Sequence, residues 1–313
     1  MPPLLERFRQ SVLAAAFRGD LTAEWRAKNP DVEPASELLK RIRTERRKKW
    51  EEAELAKLKA KGKAPTDDKW KAKYKEPDPV DPTGLPTLPD GWCWAKAEEV
   101  CDLITKGTTP SADKLTHVGD VPFLKVYNLT FNGTVDFSVD PTFVAAETHH
   151  GFLARSRVFP GDVLMNIVGP PLGKVGIVPD LFPEWNMNQA IAVFRSITGL
   201  HREFLANYLL SAQSVQRAVR EGKATAGQLN LTLEICRDLP LPLCSEMEQR
   251  QIILALSTAM RSCQAVSMDA ETASERLSSL DRAILAKAFR GELVPQDPRD
   301  EPADELLARV RAD

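Results

Sequence analysis

Leu5 to Leu21 reads LERFRQSVLAAAFRGDL, and Leu277 to Leu293 reads LSSLDRAILAKAFRGEL. After a gap, Glu33-Pro34-Ala35-Ser36-Glu37-Leu38-Leu39 is answered by Glu301-Pro302-Ala303-Asp304-Glu305-Leu306-Leu307. The loop between the two matching segments is longer in the first copy. A solenoid needs at least three adjacent repeats. Two copies of one helical unit around an unrelated middle instead describe a domain carried on a helical frame.

Working outward from the first copy, residues 4–18 read as a helix with Leu5, Phe8 and Val12 on one face, stopped at Gly19. A second helix starts near Asp31, with Asp31 as cap candidate and Pro34 in its first turn. It carries Leu38, Leu39 and Ile42, then a charged run, and ends by Gly62. Prolines and turn signals up to Pro89 mark a linker.

Working back from the second copy, Ser245 to Arg290 contains neither glycine nor proline. Ser245 and Glu248 match the capping-box pattern, and Gly291 supplies a stop. Apolar or small residues step 4-3-4-3 from Ile252 through Leu256, Ala259, Cys263, Val266, Ala270, Ala273, Leu277 and Leu280 to Ile284. That is the seam of a coiled coil, on a helix roughly 65 Å long at ~1.5 Å per residue. A helix of that length calls for a long partner.

The middle changes character. Strands are expected at Val121–Tyr127, Asp162–Val168, Lys174–Val178 and Ala190–Ile197, with helices at Ala97–Ile104 and Arg202–Glu221. The fold class is α+β: one α+β domain followed by a long coiled-coil helix, with a short helical repeat copy at the N-terminus. The expected division is 1–62 for the first helical region, 63–84 for the linker, 85–242 for the domain and 243–313 for the long helix with the second copy.

Composition excludes more than it selects. A net charge of -2 over 313 residues predicts neither a nucleic-acid nor a membrane partner by itself. Charge is uneven, however: residues 40–75 are strongly basic, whereas 85–240 are slightly acidic. No apolar run approaches the ~20 residues of a membrane span and no signal-peptide pattern opens the chain, so a cytoplasmic protein is expected. The five cysteines form no CxxC pair, which fits buried small hydrophobes better than a metal site.

No catalytic constellation is found. Gly169-Pro-Pro-Leu-Gly173-Lys174-Val175 has one residue too few between its glycines for a phosphate loop and lacks Ser/Thr after the lysine. Asn166 to Pro171 does not contain the contiguous Asn-Pro-Pro-aromatic of amino-methyltransferases, and Asp180 with Glu184 lacks the lysine of a nuclease site. His149-His150 has no third ligand nearby in sequence, so no metal is expected.

A series of short motifs in fixed order now becomes informative. Leu88-Pro89-Asp90-Gly91-Trp92 opens the domain, followed by Lys106-Gly107-Thr108-Thr109-Pro110. Gly161-Asp162-Val163-Leu164, Gly173-Lys174 and Asn188-Gln189-Ala190-Ile191 come next. Gln228-Leu229-Asn230 and Leu239-Pro240-Leu241-Pro242 precede Glu248-Gln249 and Ile252. In this order, ahead of a long helix ending Ala-Phe-Arg-Gly-Glu-Leu, the chain resembles the specificity subunits of type I restriction–modification systems over nearly its whole length.

The resemblance implies a non-catalytic, sequence-specific DNA-recognition subunit of a methyltransferase/endonuclease complex that defends against phage by DNA methylation and restriction. In the family, two target-recognition domains are each followed by a long helix, the helices pair antiparallel, and each domain reads half of a split site. This chain carries one such domain, and so corresponds to a natural half subunit or to a fragment of a two-domain subunit. The partners implied are double-stranded DNA, methyltransferase (modification) subunits and a restriction subunit. No cofactor is implied for the chain itself, with S-adenosylmethionine and ATP expected on partner subunits. The unpaired seam adds a homodimer through Ile252, Leu256, Val266, Leu277, Leu280 and Ile284.

Bases are read by side chains that hydrogen-bond their edges. Candidates of the right type in candidate loops are Lys106, Thr108, Thr109, Lys125 and Asn128, then Lys174, Asn188, Gln189, Lys223, Gln228 and Asn230. The basic stretch, with Trp50, Trp70 and Tyr74 interleaved, is either a source of phosphate contacts or a solvated helix and linker. A rival reading is a coiled-coil scaffold whose middle domain binds a protein or small molecule. Neighbouring genes for a methyltransferase and a helicase-type nuclease would separate the two.

Overall fold

The computed structural model describes residues 3–312 apart from 63–64, 66, 226–227, 296–298 and 300. Its first element, α1 (Pro3–Phe17), ends at Gly19, whose φ of 81° is left-handed and closes the helix. A 3-10 turn at Asp20–Thr22 leads into α2 (Ala23–Lys28), and α3 (Ala35–Ala60) follows. Its cap is Pro34 rather than Asp31, so the helix begins later than the sequence suggested. The face of α1 that is buried carries Arg9, Leu13, Ala16 and Phe17, not Leu5, Phe8 and Val12; Phe8 is exposed. Phe17 decides this, lying edge-on between Phe204 and Tyr208 at ring separations of 5.3 and 5.1 Å.

The domain opens with β1 (Cys93–Lys96), a single turn α4 (Ala97–Val100) and β2 (Cys101–Lys106). The expected helix over 97–104 is thus one turn followed by a strand. Ile104 and Thr105 are β-branched, and their backbone pairs with a strand almost ninety residues away. Next come β3 (Val121–Leu124), β4 (Gly133–Thr134), β5 (Phe143–Val144), α5 (Ala146–His150) and β6 (Arg157–Val158). They are followed by β7 (Val163–Asn166), β8 (Val168–Gly169), β9 (Val175–Ile177), β10 (Trp185–Met187) and β11 (Ile191–Ser196). The helix expected over 202–221 is broken into α6 (Arg202–Leu210) and α7 (Ala212–Glu221). Ser211 is extended between them, and its hydroxyl accepts from the Ser214 amide to cap α7.

A hairpin of β12 (Lys223–Thr225) and β13 (Gln228–Asn230), then α8 (Leu233–Asp238) and β14 (Pro240–Leu243), complete the domain. β1 pairs antiparallel with β14, joining the domain's beginning to its end. The main sheet has the order β2-β11-β7-β9-β4, the second β5-β3-β10-β6, and a small one β12-β13-β8. Both larger sheets feed one core, in which Leu124, Leu164, Trp185, Met187, Ile191 and Val193 are wholly buried.

The long helix α9 (Glu246–Phe289) and α10 (Ala303–Ala312) finish the chain. Only half of the anticipated capping box forms. Ser245 Oγ accepts from the Glu248 amide, while the Glu248 carboxylate turns to the first repeat instead. It receives hydrogen bonds from Thr22 Oγ1 at 2.7 Å, Arg26 Nη1 at 2.5 Å and Trp92 Nε1 at 2.8 Å. The chain forms two compact units: one is residues 6–259, the other residues 260–313 with the first five. Within the first unit, Ile252 and Leu256 are buried, whereas Val266, Leu277, Leu280 and Ile284 further along the seam are exposed. Among the described residues, no helix is long and apolar enough to cross a membrane.

Candidate nucleic-acid interface

The alternating directions of the main sheet gather its loops at one end. There β2 finishes at Lys106, β11 begins at Ile191, β7 finishes at Asn166 and β9 begins at Val175. Gly107 follows β2 because nothing larger fits: a Cβ there would lie 2.1 Å from the Asn188 carbonyl oxygen. The two loops are consequently stapled. The Thr108 amide donates to Met187 O at 3.1 Å, and the Gln189 amide to Thr109 Oγ1 at 3.2 Å. The Thr109 and Gln189 side chains are exposed at this junction, and exposed Arg155 donates from Nε to Thr108 Oγ1 at 3.2 Å.

The same end continues into the small sheet. The Ile167 amide bonds Ala190 O at 2.8 Å, the Leu231 amide bonds Ile167 O at 2.9 Å, and Asn230 pairs with Val168. Beside them the Asn166 side chain, buried, organises the next turn. Its Nδ2 donates to Pro171 O at 2.9 Å, its Oδ1 accepts from the Lys174 amide at 2.9 Å, and the Pro170–Pro171 bond inside the turn is cis. The turn sends Lys174 Nζ over the Phe131 ring, 5.9 Å from its centroid. The segment once weighed as a phosphate loop is therefore a strand and a side-chain-clamped turn.

Of the sequence candidates, Lys106, Thr108, Thr109, Lys174, Asn188, Gln189 and Asn230 meet at this end. The backbones of Lys223 and Gln228 lie in the adjoining hairpin, and their side chains fall outside the described residues. Two candidates have other work. Asn128 is buried, binding the Lys125 amide and the carbonyls of Asp136 and Val139. Lys125 Nζ is held 3.4 Å from Asp140 Oδ2 and covers the Tyr127 ring, whose hydroxyl also donates to Asp140 and holds that carboxyl below its ordinary range. Arg155 was missed in the sequence because its place depends on a contact across 47 residues, which no local spacing announces.

The basic stretch is largely committed to the fold. Arg43 donates to the buried Glu99, Arg46 Nη1 to Cys101 O at 2.5 Å, and Lys49 to Asp102 at 2.9 Å. Trp50 stacks on Trp70 and lies tilted against Tyr74, so the interleaved aromatics fasten the linker onto α3. Lys48 is exposed. Burial keeps several thiols protonated, raising Cys93 to about 11 and Cys236 to about 12. Glu184, 35 residues from His149 in sequence, stands as a third group beside the histidine pair.

An α+β domain that collects polar loops at one sheet end, framed by two helical repeats, is the build of a DNA specificity domain. The model of the type I restriction modification DNA specificity domain matches residues 89–267, more than half of the chain, and the chain belongs to that family. The type I restriction enzyme EcoAI specificity subunit of Escherichia coli is 24% identical over 360 residues, covering 98% of this chain and 55% of that subunit. The EcoKI specificity subunit of Escherichia coli K12 is 56% identical over 41 residues, 12% of this chain and 9% of that one. A chain from a structure concerning assembly and conformational transition of the type I R-M system shares the fold, with a TM-score of 0.53 and 22% identity. That alignment covers 94% of this chain and 61% of the other. The chain thus spans little more than half the length of these long-aligning relatives.

Proposed function

We propose that this chain reads DNA sequence for a type I restriction–modification complex and performs no chemistry itself. The observation that carries the reading is the convergence of Lys106, Thr109, Lys174, Gln189 and Asn230 at one end of the main sheet. Polar loops held on a rigid sheet suit base-edge recognition. The slightly acidic domain supplies few phosphate contacts, so much of the grip on double-stranded DNA is assigned to methyltransferase subunits. S-adenosylmethionine and ATP belong, in this reading, to the modification and restriction subunits, and the complex works in the cytoplasm.

Two chains pair antiparallel through α9 and present two domains to a bipartite site. The exposed Val266, Leu277, Leu280 and Ile284 support this, whereas Ile252 and Leu256 serve the domain's own core. Leu277→Asp then abolishes the dimer in sedimentation while leaving the domain folded; a wild-type monomer at micromolar concentration refutes the pairing. Reading is tested with the reconstituted methyltransferase complex on cognate and single-mismatch duplexes at two salt concentrations. Lys174→Ala, Gln189→Ala and Asn230→Ala each lose about 1–3 kcal/mol of discrimination at one base pair. Lys48→Ala weakens binding alike on every sequence and flattens the salt dependence. An unchanged cognate-to-mismatch ratio in all three loop variants places the reading surface elsewhere.

A further inference from the structure

The sharpest unexplained geometry in the domain lies where α5 meets β10. Asn186 is wholly buried and donates from Nδ2 to Leu153 O at 3.3 Å, which turns its Oδ1 toward His149 Nδ1. An amide oxygen only accepts, so Nδ1 of His149 carries the proton and a neutral ring keeps its lone pair on Nε2. Nε2 faces Glu184 Oε2 at 2.5 Å. At that separation only a proton fits between the two atoms, because a metal ion bound to both would hold them about 3 Å apart or more, so the pair is closed by a hydrogen bond here.

The surroundings gather the donors that a metal ion would need. His150 lies edge-on to His149 with ring centroids 4.7 Å apart, and donor atoms of His149, His150 and Glu184 lie within 4.8 Å of one another. An imidazole N–H bonded to a buried carboxamide is the outer arrangement that orients a metal-binding histidine. Two imidazoles and one carboxylate suit a borderline cation, whereas magnesium and calcium prefer oxygen alone.

We infer that His149 Nε2, His150 and Glu184 form a binding site for one divalent transition-metal ion of the zinc class, with water completing its coordination. On binding, the half-exposed Glu184 swings outward to admit the ion, and any proton shared with His149 Nε2 leaves to solvent. The site clips α5 to β10 just ahead of Asn188 and Gln189, so its role is to stiffen that loop. It stands independently of the DNA-reading proposal.

The test uses the full untagged chain, stripped with a chelator and titrated with zinc chloride against a chromophoric zinc chelator. Cobalt chloride, followed by visible absorption, reports the ligand field. The expected result is one zinc per chain, with affinity falling at least tenfold in both His150→Ala and Glu184→Gln and staying unchanged in His201→Ala. These two ligand positions are not deeply buried, so the variants fold, which circular dichroism checks. Less than one zinc in ten chains bound at micromolar zinc, or binding unaltered in both variants, overturns the assignment and leaves the pair sharing a proton.

Discussion

Phe17 and Phe289 hold the same place in two copies of one sequence; the first is 1% exposed and the second 91%. Leu13 and Leu285 differ likewise, at 0% and 57%, as do Ile42 and Val310, at 1% and 65%. The local fold nevertheless repeats. Gly19 and Gly291 are both left-handed, Arg18–Asp20 recurs as Arg290–Glu292, and Arg41–Glu33 recurs as Arg309–Glu301. The repeated letters thus specify helix, stop and surface ion pair twice over, while burial depends on what each copy packs against. For the first copy that is α6, the Gly199 turn against Leu38, and Glu248.

The largest expected contrast comes from the aromatic pair. Phe17→Ala costs about 3–5 kcal/mol in denaturant unfolding. Phe289→Ala changes the dilute chain by less than ~0.5 kcal/mol. A comparable loss at Phe289 that grows with protein concentration would show the second copy covered by a partner in solution. Next, Glu248→Gln removes the charge that Arg26 and Thr22 answer and destabilises the first unit by about 1–3 kcal/mol, read from the same unfolding curves. An unaltered midpoint would mean the three hydrogen bonds at Glu248 do not hold the first repeat in place.

Smaller still is the glycine contrast. Gly291→Ala costs about 1–2 kcal/mol for its left-handed backbone. Gly19→Ala costs more, since its Cβ would meet Pro89 Cγ at 2.5 Å. Equal losses would remove Pro89 from the packing of the first copy. Smallest are the exposed ion pairs: Arg41→Ala and Arg309→Ala each lose no more than about 1 kcal/mol and by equal amounts, fading in high salt. A clear inequality would break the local equivalence of the copies.

The sequence disclosed what depends on near neighbours. Helix 246–289 was legible because no breaker interrupts it and Ser245 and Gly291 bound it. The break at Ser211 was not, because a serine within an apolar pattern reveals its capping role only when the chain turns. Periodicity found the seam of α9 but not its partner, so Ile252 and Leu256 read as dimer residues although their own domain buries them. At the sheet end, residue type picked out Lys106, Thr109 and Gln189, and topology alone brought them together. The same reasoning took Asn128 for a reader, though three backbone groups occupy it, passed over Arg155, and weighed Glu184 with Asp180 rather than with the distant His149.

Glu248 also imposes an order on synthesis. Its donors lie 226, 222 and 156 residues earlier in the chain. At ~5–20 residues per second, Thr22 leaves the ribosome roughly ten to fifty seconds before its carboxylate is made. Until residues 199–208 are made, Phe17 and Ile42 also lack the neighbours that cover them in the fold. A chain ending before residue 248 would leave Thr22, Arg26 and Trp92 without the one carboxylate that gathers them.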